Sequence, residues 1–166
     1  PVPEQHLVCA VVVTYFPSQN IVSVLAALLS QVDRVVIIDN ASVGQPLLWV
    51  QSLESERVIL LRNSENLGIA AGLNRGVIWA RDHGYPWVMT LDQDTLIQPD
   101  MVSNMARIFA ARTDAEKMQI GLLAPVHFDH DSGYVSRSLR DLPEPAVERV
   151  IMMRSEERRV GKECLR

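Results

Sequence analysis

Leu7-Val8-Cys9-Ala10-Val11-Val12-Val13, running into Thr14-Tyr15-Phe16-Pro17-Ser18, is the stretch that decides the fold class. An unbroken apolar run rich in β-branched residues fits a strand buried on both faces, not one with a wet face. Strands of that kind belong to parallel sheets, and the turn at Pro17-Ser18 ends this one. Helical character follows from Ile21 to Leu29. Further out, Val35-Val36-Ile37-Ile38 reads as a second buried strand closed by Asp39-Asn40-Ala41-Ser42, and Arg57 to Leu61 as a third. A helix from about Ile69 to Arg81 is broken by Gly84-Tyr85-Pro86. Trp87-Val88-Met89-Thr90-Leu91 is a fourth strand that runs directly into Asp92-Gln93-Asp94. Pro99-Asp100 opens another helix to about Arg112, and Ile120 to Val126 gives a fifth strand.

Alternation of strand and helix predicts an α/β fold, a mostly parallel sheet with helices on both faces. Ligands of such sheets sit at the carboxyl ends of the strands. The polar clusters Thr14-Tyr15, Asp39-Asn40, Asn63 to Asn66 and Asp92 to Asp94 fall at those ends. Loops are polar in any case, so this pattern alone leaves a site and an ordinary loop equally open.

The bulk composition narrows the class without naming a function. At 166 residues, with 48% hydrophobic and 22% charged, the chain suits one globular domain and not a disordered segment. A net charge of -4 supplies no basic footprint, so no nucleic-acid partner is expected. No apolar run is long enough to span a bilayer, and no basic-then-apolar signal opens the chain. Cys9 and Cys164 lie at opposite ends, which argues against a disulfide scaffold or a zinc site and for the cytoplasm. From Arg154 onward the text is charged and lacks a core-facing pattern; Arg154 to Cys164 resembles the conceptual translation of a sequencing-adapter oligonucleotide. The expected division is therefore a domain over 1–153 and a non-native tail over 154–166.

Several residues could carry chemistry. If the backbone stays extended past Leu91, Asp92 and Asp94 face the same side, and both carboxylates enter one pocket. Paired hard oxygens suit Mg²⁺ or Mn²⁺, with diphosphate and water completing the shell. A solvated turn before the next helix is the competing reading. Asp39 can accept hydrogen bonds from a ribose or a base N–H, or can close an Asx-turn with help from Asn40 and Ser42. Asn66-Leu67-Gly68, followed by Gly72-Leu73-Asn74-Arg75-Gly76, opens a helix whose small residues permit close approach of a strand or a ligand. Its positive end could face a phosphate, with Arg75 adding charge. His127 to Asp131 reads as a surface loop, and Trp49, Trp79 and Trp87 read as core.

Taken in order, Val-Val-Val-Thr-Tyr-Phe-Pro at 11–17, Val-Val-Ile-Ile-Asp-Asn-Ala-Ser at 35–42, the Asn66 to Gly76 block and Leu91-Asp92-Gln93-Asp94-Thr95 resemble family 2 glycosyltransferases, more narrowly rhamnosyltransferase-like members. The resemblance covers about residues 7 to 126 and implies the GT-A fold, the Rossmann-like sheet of nucleotide-diphospho-sugar transferases, here incomplete on its C-terminal side. It implies that Thr14 and Tyr15 line the nucleotide site and that Asp39 contacts base or ribose. Asn66, Gly68 and Asn74 would shape the wall near ribose and diphosphate. Asp92 would touch ribose or a metal-bound water, with Asp94 the direct ligand of Mg²⁺ or Mn²⁺.

Asp-Gln-Asp favours dTDP-L-rhamnose as donor by the same resemblance, with UDP- or GDP-sugars as alternatives. The acceptor would be a glycan or a lipid-linked sugar, and the full-length enzyme would work in the cytoplasm, with peripheral attachment to the inner membrane face allowed. The catalytic base is expected in an acceptor half beyond the matching blocks; Glu144 and Glu148 precede that position. Inverting transfer is expected of the full enzyme and donor binding alone of this chain. Two other classes stand beside this one. A nucleotidyltransferase shares the sheet but carries a Gly-rich basic loop after the first strand, where this chain has Thr-Tyr-Phe-Pro. A non-catalytic nucleotide-binding module leaves Asp92-Gln93-Asp94 without a purpose.

Overall fold

The computed structural model describes residues 2–124 and the strand at 151–154. Its sheet has the order β3-β2-β1-β4-β6-β5. The strands are β1 (Val8–Thr14), β2 (Arg34–Asn40), β3 (Val58–Asn63), β4 (Trp87–Asp92), β5 (Leu122–Leu123) and β6 (Ile151–Arg154). Strands β1 to β4 run parallel, whereas β6 pairs antiparallel with both β4 and β5. The helices are α1 (Ile21–Leu29), α2 (Gln45–Ser52), α3 (Gly68–Asp82), α4 (Met101–Ala110) and α5 (Asp114–Gln119).

Every residue of β1 is buried, because it lies between two strands and under helices on both faces. Alternation splits its side chains between two cores. Val8, Ala10 and Val12 join Ile21, Val24, Leu25 and Leu28 of α1, Val50 of α2, and Met101, Val102, Met105 and Phe109 of α4. Cys9, Val11 and Val13 pack on the opposite face with Val77 and Ala80 of α3. The buried positions of α1 recur at helical spacing, which makes it an amphipathic cover. Burial, with the charge of Asp33 adding to it, pushes the Cys9 thiol up to about 12, so this cysteine behaves as a small hydrophobe.

This topology positions the site. The chain steps from β1 through α1 to β2 and through α2 to β3, all in one direction. It then returns over the opposite face through α3 and enters β4 on the far side of β1. Parallel crossovers are right-handed, so reversing direction requires changing faces. The strand order therefore reverses between β1 and β4, and the crevice of an open parallel sheet forms outside their carboxyl ends.

The expected mostly parallel sheet with helices on both faces is present, and α1 has the predicted bounds. Strands β2 and β3 run further than their apolar runs, to Asn40 and Asn63. Helices α2 and α5 and strand β6 were not anticipated. The fifth strand is the short β5, and residues 125–126 of the expected stretch lie outside the described residues. So do His127 to Asp131, Glu144, Glu148 and Cys164. Arg154 belongs to β6, while the rest of the adapter-like stretch is outside the description. Trp87 is fully buried and meets Phe109 edge-on, with Trp49 and Trp79 half-buried against the two cores, as expected.

Candidate functional site at the carboxyl edge of the sheet

Four parallel strands end in Thr14, Asn40, Asn63 and Asp92, and each predicted polar cluster includes one of these ends. Thr14 and Asp39 are register partners on neighbouring strands, and both are fully buried. The Thr14 hydroxyl donates to Asp39 Oδ1 at 3.0 Å, and the Ser42 backbone N–H donates to Asp39 Oδ2 at 3.0 Å. Arg62 Nε lies 3.8 Å from Asp39 Oδ2, and its Nη2 donates to the Ser42 carbonyl at 3.3 Å. Asp39 thus closes the turn after β2, the alternative the sequence left open, and a ligand reaches its carboxylate only past Thr14 or Arg62.

A second set of bonds joins β2, β3 and α3. Arg75 Nη1 donates to the Arg62 carbonyl at 2.8 Å and to Asn63 Oδ1. The Asn63 amide donates to Asn40 Oδ1 at 2.7 Å, and the Asn40 amide donates to the Gly68 carbonyl at 3.3 Å. Asn40 and Asn63 are buried polar groups, so this chain of bonds satisfies them where the sheet stops. Arg75, read in the sequence as a source of charge for a phosphate, braces α3 to the end of β3. Asn66 Oδ1 accepts from the Gly68 N–H at 2.9 Å, an Asx-turn that starts α3. Gly68 has φ +80 with open space around a would-be Cβ, so the backbone conformation and not crowding calls for glycine. Asn74 is half-buried on α3.

Gly72 and Gly76 serve packing. A Cβ on Gly72 would lie 2.9 Å from both methyls of Val13, and one on Gly76 would lie 2.2 Å from Val11 Cγ1. These glycines let α3 approach β1, which settles the strand-or-ligand choice for this pair in favour of the strand.

At β4 the expected geometry needs correction. The strand ends at Asp92, and residues 93–94 form a turn closed by the Thr95 N–H donating to the Asp92 carbonyl at 3.2 Å. Strand alternation therefore does not extend to Asp94, and the turn determines where the two carboxylates stand. Both are exposed. Neither makes a side-chain hydrogen bond or ion pair among the described residues, so their oxygens remain for a ligand. As hard oxygen donors, two carboxylates have the chemistry a divalent cation takes. No group of three or more His, Cys, Asp and Glu gathers among the described residues, so a cation held by this pair would need its remaining oxygens from a ligand or water.

The β1 loop faces this turn. The Tyr15 N–H donates to Gln93 Oε1 at 2.9 Å, and Gln93 Nε2 donates to the Tyr15 carbonyl at 3.4 Å. The Phe16 N–H donates to Ser42 Oγ at 2.9 Å, linking the same loop to β2. Tyr15 and Phe16 are about half-exposed and meet edge-on at 4.7 Å. Phe16 has φ 46 and Ala41 has φ 61, so two non-glycine residues hold the left-handed conformation beside the crevice. Such backbone persists where surrounding bonds impose it, and it clusters at ligand sites. Thr14, Tyr15, Asp39, Asp92 and Asp94 thus share one edge with Asn66 and Gly68. Arg62 and Gln93 are the members the sequence did not signal, since nothing in their spacing marks them.

The sheet matches solved structures at the level of fold. S. aureus TarS 1-349 superposes with a TM-score of 0.67 at 18% identity, over 89% of this chain and 47% of that one. A putative nucleotide-diphospho-sugar transferase from Desulfovibrio desulfuricans G20 matches with a TM-score of 0.54 at 12% identity, over 91% of this chain and 64% of that one. The 4-diphosphocytidyl-2C-methyl-D-erythritol synthase of Anaerococcus prevotii DSM 20548 matches with a TM-score of 0.51 at 9% identity, over 92% and 71%. The chain thus spans about half the length of the TarS fragment. No curated protein matches it in sequence. Residues 9–159 match the family described as glycosyl transferase family 2, and the chain belongs to that family.

Proposed function

We propose that this chain binds the nucleoside diphosphate of a sugar donor at the carboxyl edge of β1, β2 and β4, for glycosyl transfer by a longer protein. The observation that carries the reading is the pair of exposed carboxylates, Asp92 and Asp94, at the point where the strand order reverses. Family membership supports sugar transfer over the nucleotidyltransferase alternative, although the sheet is shared with a 4-diphosphocytidyl-2C-methyl-D-erythritol synthase. The loop after β1 supports the same choice, since Thr14-Tyr15-Phe16-Pro17 contains no glycine.

Transfer breaks the bond between the anomeric carbon and the diphosphate oxygen, which leaves with the electron pair. The acceptor hydroxyl attacks the opposite face and loses its proton to a general base, placed in a segment beyond the described residues. Asp92 and Asp94 would hold Mg²⁺ or Mn²⁺, and the ion would stabilise charge on the departing diphosphate. Tyr15 offers a half-exposed ring to the nucleoside, and Asn66, Gly68 and Asn74 form the wall at the start of α3. Asp39 holds Thr14 in place and is the candidate contact for base or ribose once Arg62 moves aside.

The Asp92-Gln93-Asp94 resemblance favours dTDP-L-rhamnose as donor, with UDP- and GDP-sugars as alternatives and a glycan or lipid-linked acceptor. No helix among the described residues is long and apolar enough to cross a membrane. Work in the cytoplasm, at or near the inner membrane face, is part of the same proposal.

Thermal unfolding with dTDP, UDP and GDP, each with and without Mn²⁺ or Mg²⁺, tests the reading. A metal-dependent rise in Tm that Asp94→Ala abolishes is the expected result, largest for dTDP. No shift with any nucleotide would sink donor binding by this chain, and a shift indifferent to metal would sink the role of Asp94.

A further inference from the structure

The geometry points to Gln93 as a positioning residue that couples the metal-side turn after β4 to the nucleoside-side loop after β1. The inference rests on the donor-site reading above and deepens it.

The last register pair between β1 and β4 is Val13 with Asp92. Beyond it the two strands share no register pair: β4 ends at Asp92, and the loop after β1 bonds to the turn after β2 through the Phe16 N–H and Ser42 Oγ. Backbone pairing has stopped there, yet the two segments remain tied. Gln93 presents a primary carboxamide, whose oxygen accepts and whose NH2 group, with two N–H donors, can stand in for the C=O and N–H of a peptide group. Its Oε1 takes the Tyr15 N–H at 2.9 Å, and its Nε2 reaches the Tyr15 carbonyl at 3.4 Å. The side chain therefore adds one more rung after the main-chain ladder has ended.

What the rung joins gives it a function. On one side stand Asp92 and Asp94, directly flanking Gln93 and both exposed. On the other stands Tyr15, whose ring is about half-exposed, and its neighbour Phe16, held at φ 46 by its bond to Ser42. Turning inward to β1, Gln93 fixes the spacing between the carboxylates that take the diphosphate end and the loop that takes the nucleoside end. Glutamate at this position could accept from Tyr15 but could not return the bond to its carbonyl at neutral pH, and it would add a third negative charge beside the pair.

The prediction concerns coupling and not affinity alone. Mn²⁺ raises dTDP affinity in part by meeting the diphosphate directly; if Gln93 preorganises both ends, a further part of that factor depends on holding them together and needs the rung. The test compares dTDP dissociation constants by calorimetry, with and without Mn²⁺, for the wild-type chain, Gln93→Met and Asp94→Ala. Met keeps the length and removes both hydrogen bonds.

The expected result is that Gln93→Met loses about three- to tenfold of the Mn²⁺ enhancement, the factor a lost hydrogen bond carries. Its metal-free dTDP affinity falls by a smaller factor than its affinity in Mn²⁺, so the ratio of the two drops, beyond whatever small change in Tm the lost bonds bring. Full enhancement retained in Gln93→Met overturns the positioning role. A parallel fall in Tm and in both affinities overturns it too, because that is the signature of a purely structural bond. If the wild type shows no Mn²⁺ enhancement, or Asp94→Ala keeps it, the metal role given to Asp94 in the donor-site reading falls, and no dTDP binding at all sinks that reading whole; if Asp94→Ala abolishes the enhancement and Gln93→Met does not, only the inference about Gln93 falls.

Discussion

Asp39 shows how one side chain carries two readings that spacing cannot separate. An aspartate at the end of a parallel strand suits a ribose or base contact, and it equally suits an Asx-turn. The structure gives it the turn, with Thr14, the Ser42 N–H and Arg62 all converging on a carboxylate that has no exposure. Removing it orphans a buried hydroxyl and a backbone N–H, and it releases Ala41 from its left-handed φ of 61. Asp39→Ala is therefore expected to cost about 2–4 kcal/mol in chemical denaturation, and Asp39→Asn, which keeps one acceptor, less. An Asp39→Ala loss under about 0.5 kcal/mol, within the range of ordinary surface substitutions, would mean that the turn stands without it. Residue type and order were enough to single out Asp39, Asp92 and Asp94. They could not reveal Gln93 or Arg62, because their partners, Tyr15, Asp39 and Ser42, come from other strands.

Helix α3 is where element-level reading had most to decide. Its length and its breaker at Gly84 were legible from periodicity, since Val77 and Ala80 repeat on the face that Gly72 and Gly76 continue. Whether that glycine stripe met a strand or a ligand was not, because both need the same small residues. The 2.2 Å separation between a would-be Gly76 Cβ and Val11 Cγ1 answers it. In an exposed helix Gly→Ala is stabilising by about 1 kcal/mol. Here Gly76→Ala is expected to destabilise by about 1–3 kcal/mol through overpacking. Gly72→Ala, against side-chain methyls at 2.9 Å, should lose less. Urea unfolding of both variants checks the order, and a stabilised Gly76→Ala would refute the close packing of α3 on β1. The two helices missed by periodicity have physical reasons as well. Helix α2 has one buried position, Val50, and α5 has none, so neither writes an apolar stripe. The start of α5 was still readable, since Thr113 and Glu116 form a reciprocal capping box.

For the whole molecule, two facts decide: β1 to β4 run parallel, which gathers four strand ends on one edge, and the strand order reverses between β2-β1 and β4, which opens a crevice there. A ligand bound across that edge touches β1, β2 and β4 and so stabilises the folded chain as a unit. At a free concentration of dTDP with Mn²⁺ one hundred times its dissociation constant, linkage gives about 2.7 kcal/mol. For a chain of this size that is a Tm rise of about 5–10 °C by differential scanning fluorimetry, and Asp94→Ala should lose the part that depends on metal. A full-sized, metal-dependent shift in Asp94→Ala would place the ion elsewhere. By itself the sequence determined the class of fold, the central buried strand and the four polar clusters at strand ends. These depend on local periodicity and residue chemistry, which a linear text carries. Only the tertiary structure decided the strand order, the face on which α3 lies, the turn that aims Asp94 and the bonds of Gln93 and Arg62. The turn is closed locally, by the Thr95 N–H on the Asp92 carbonyl; the others depend on contacts between segments far apart in the chain, and such contacts leave no period in the text that encodes them.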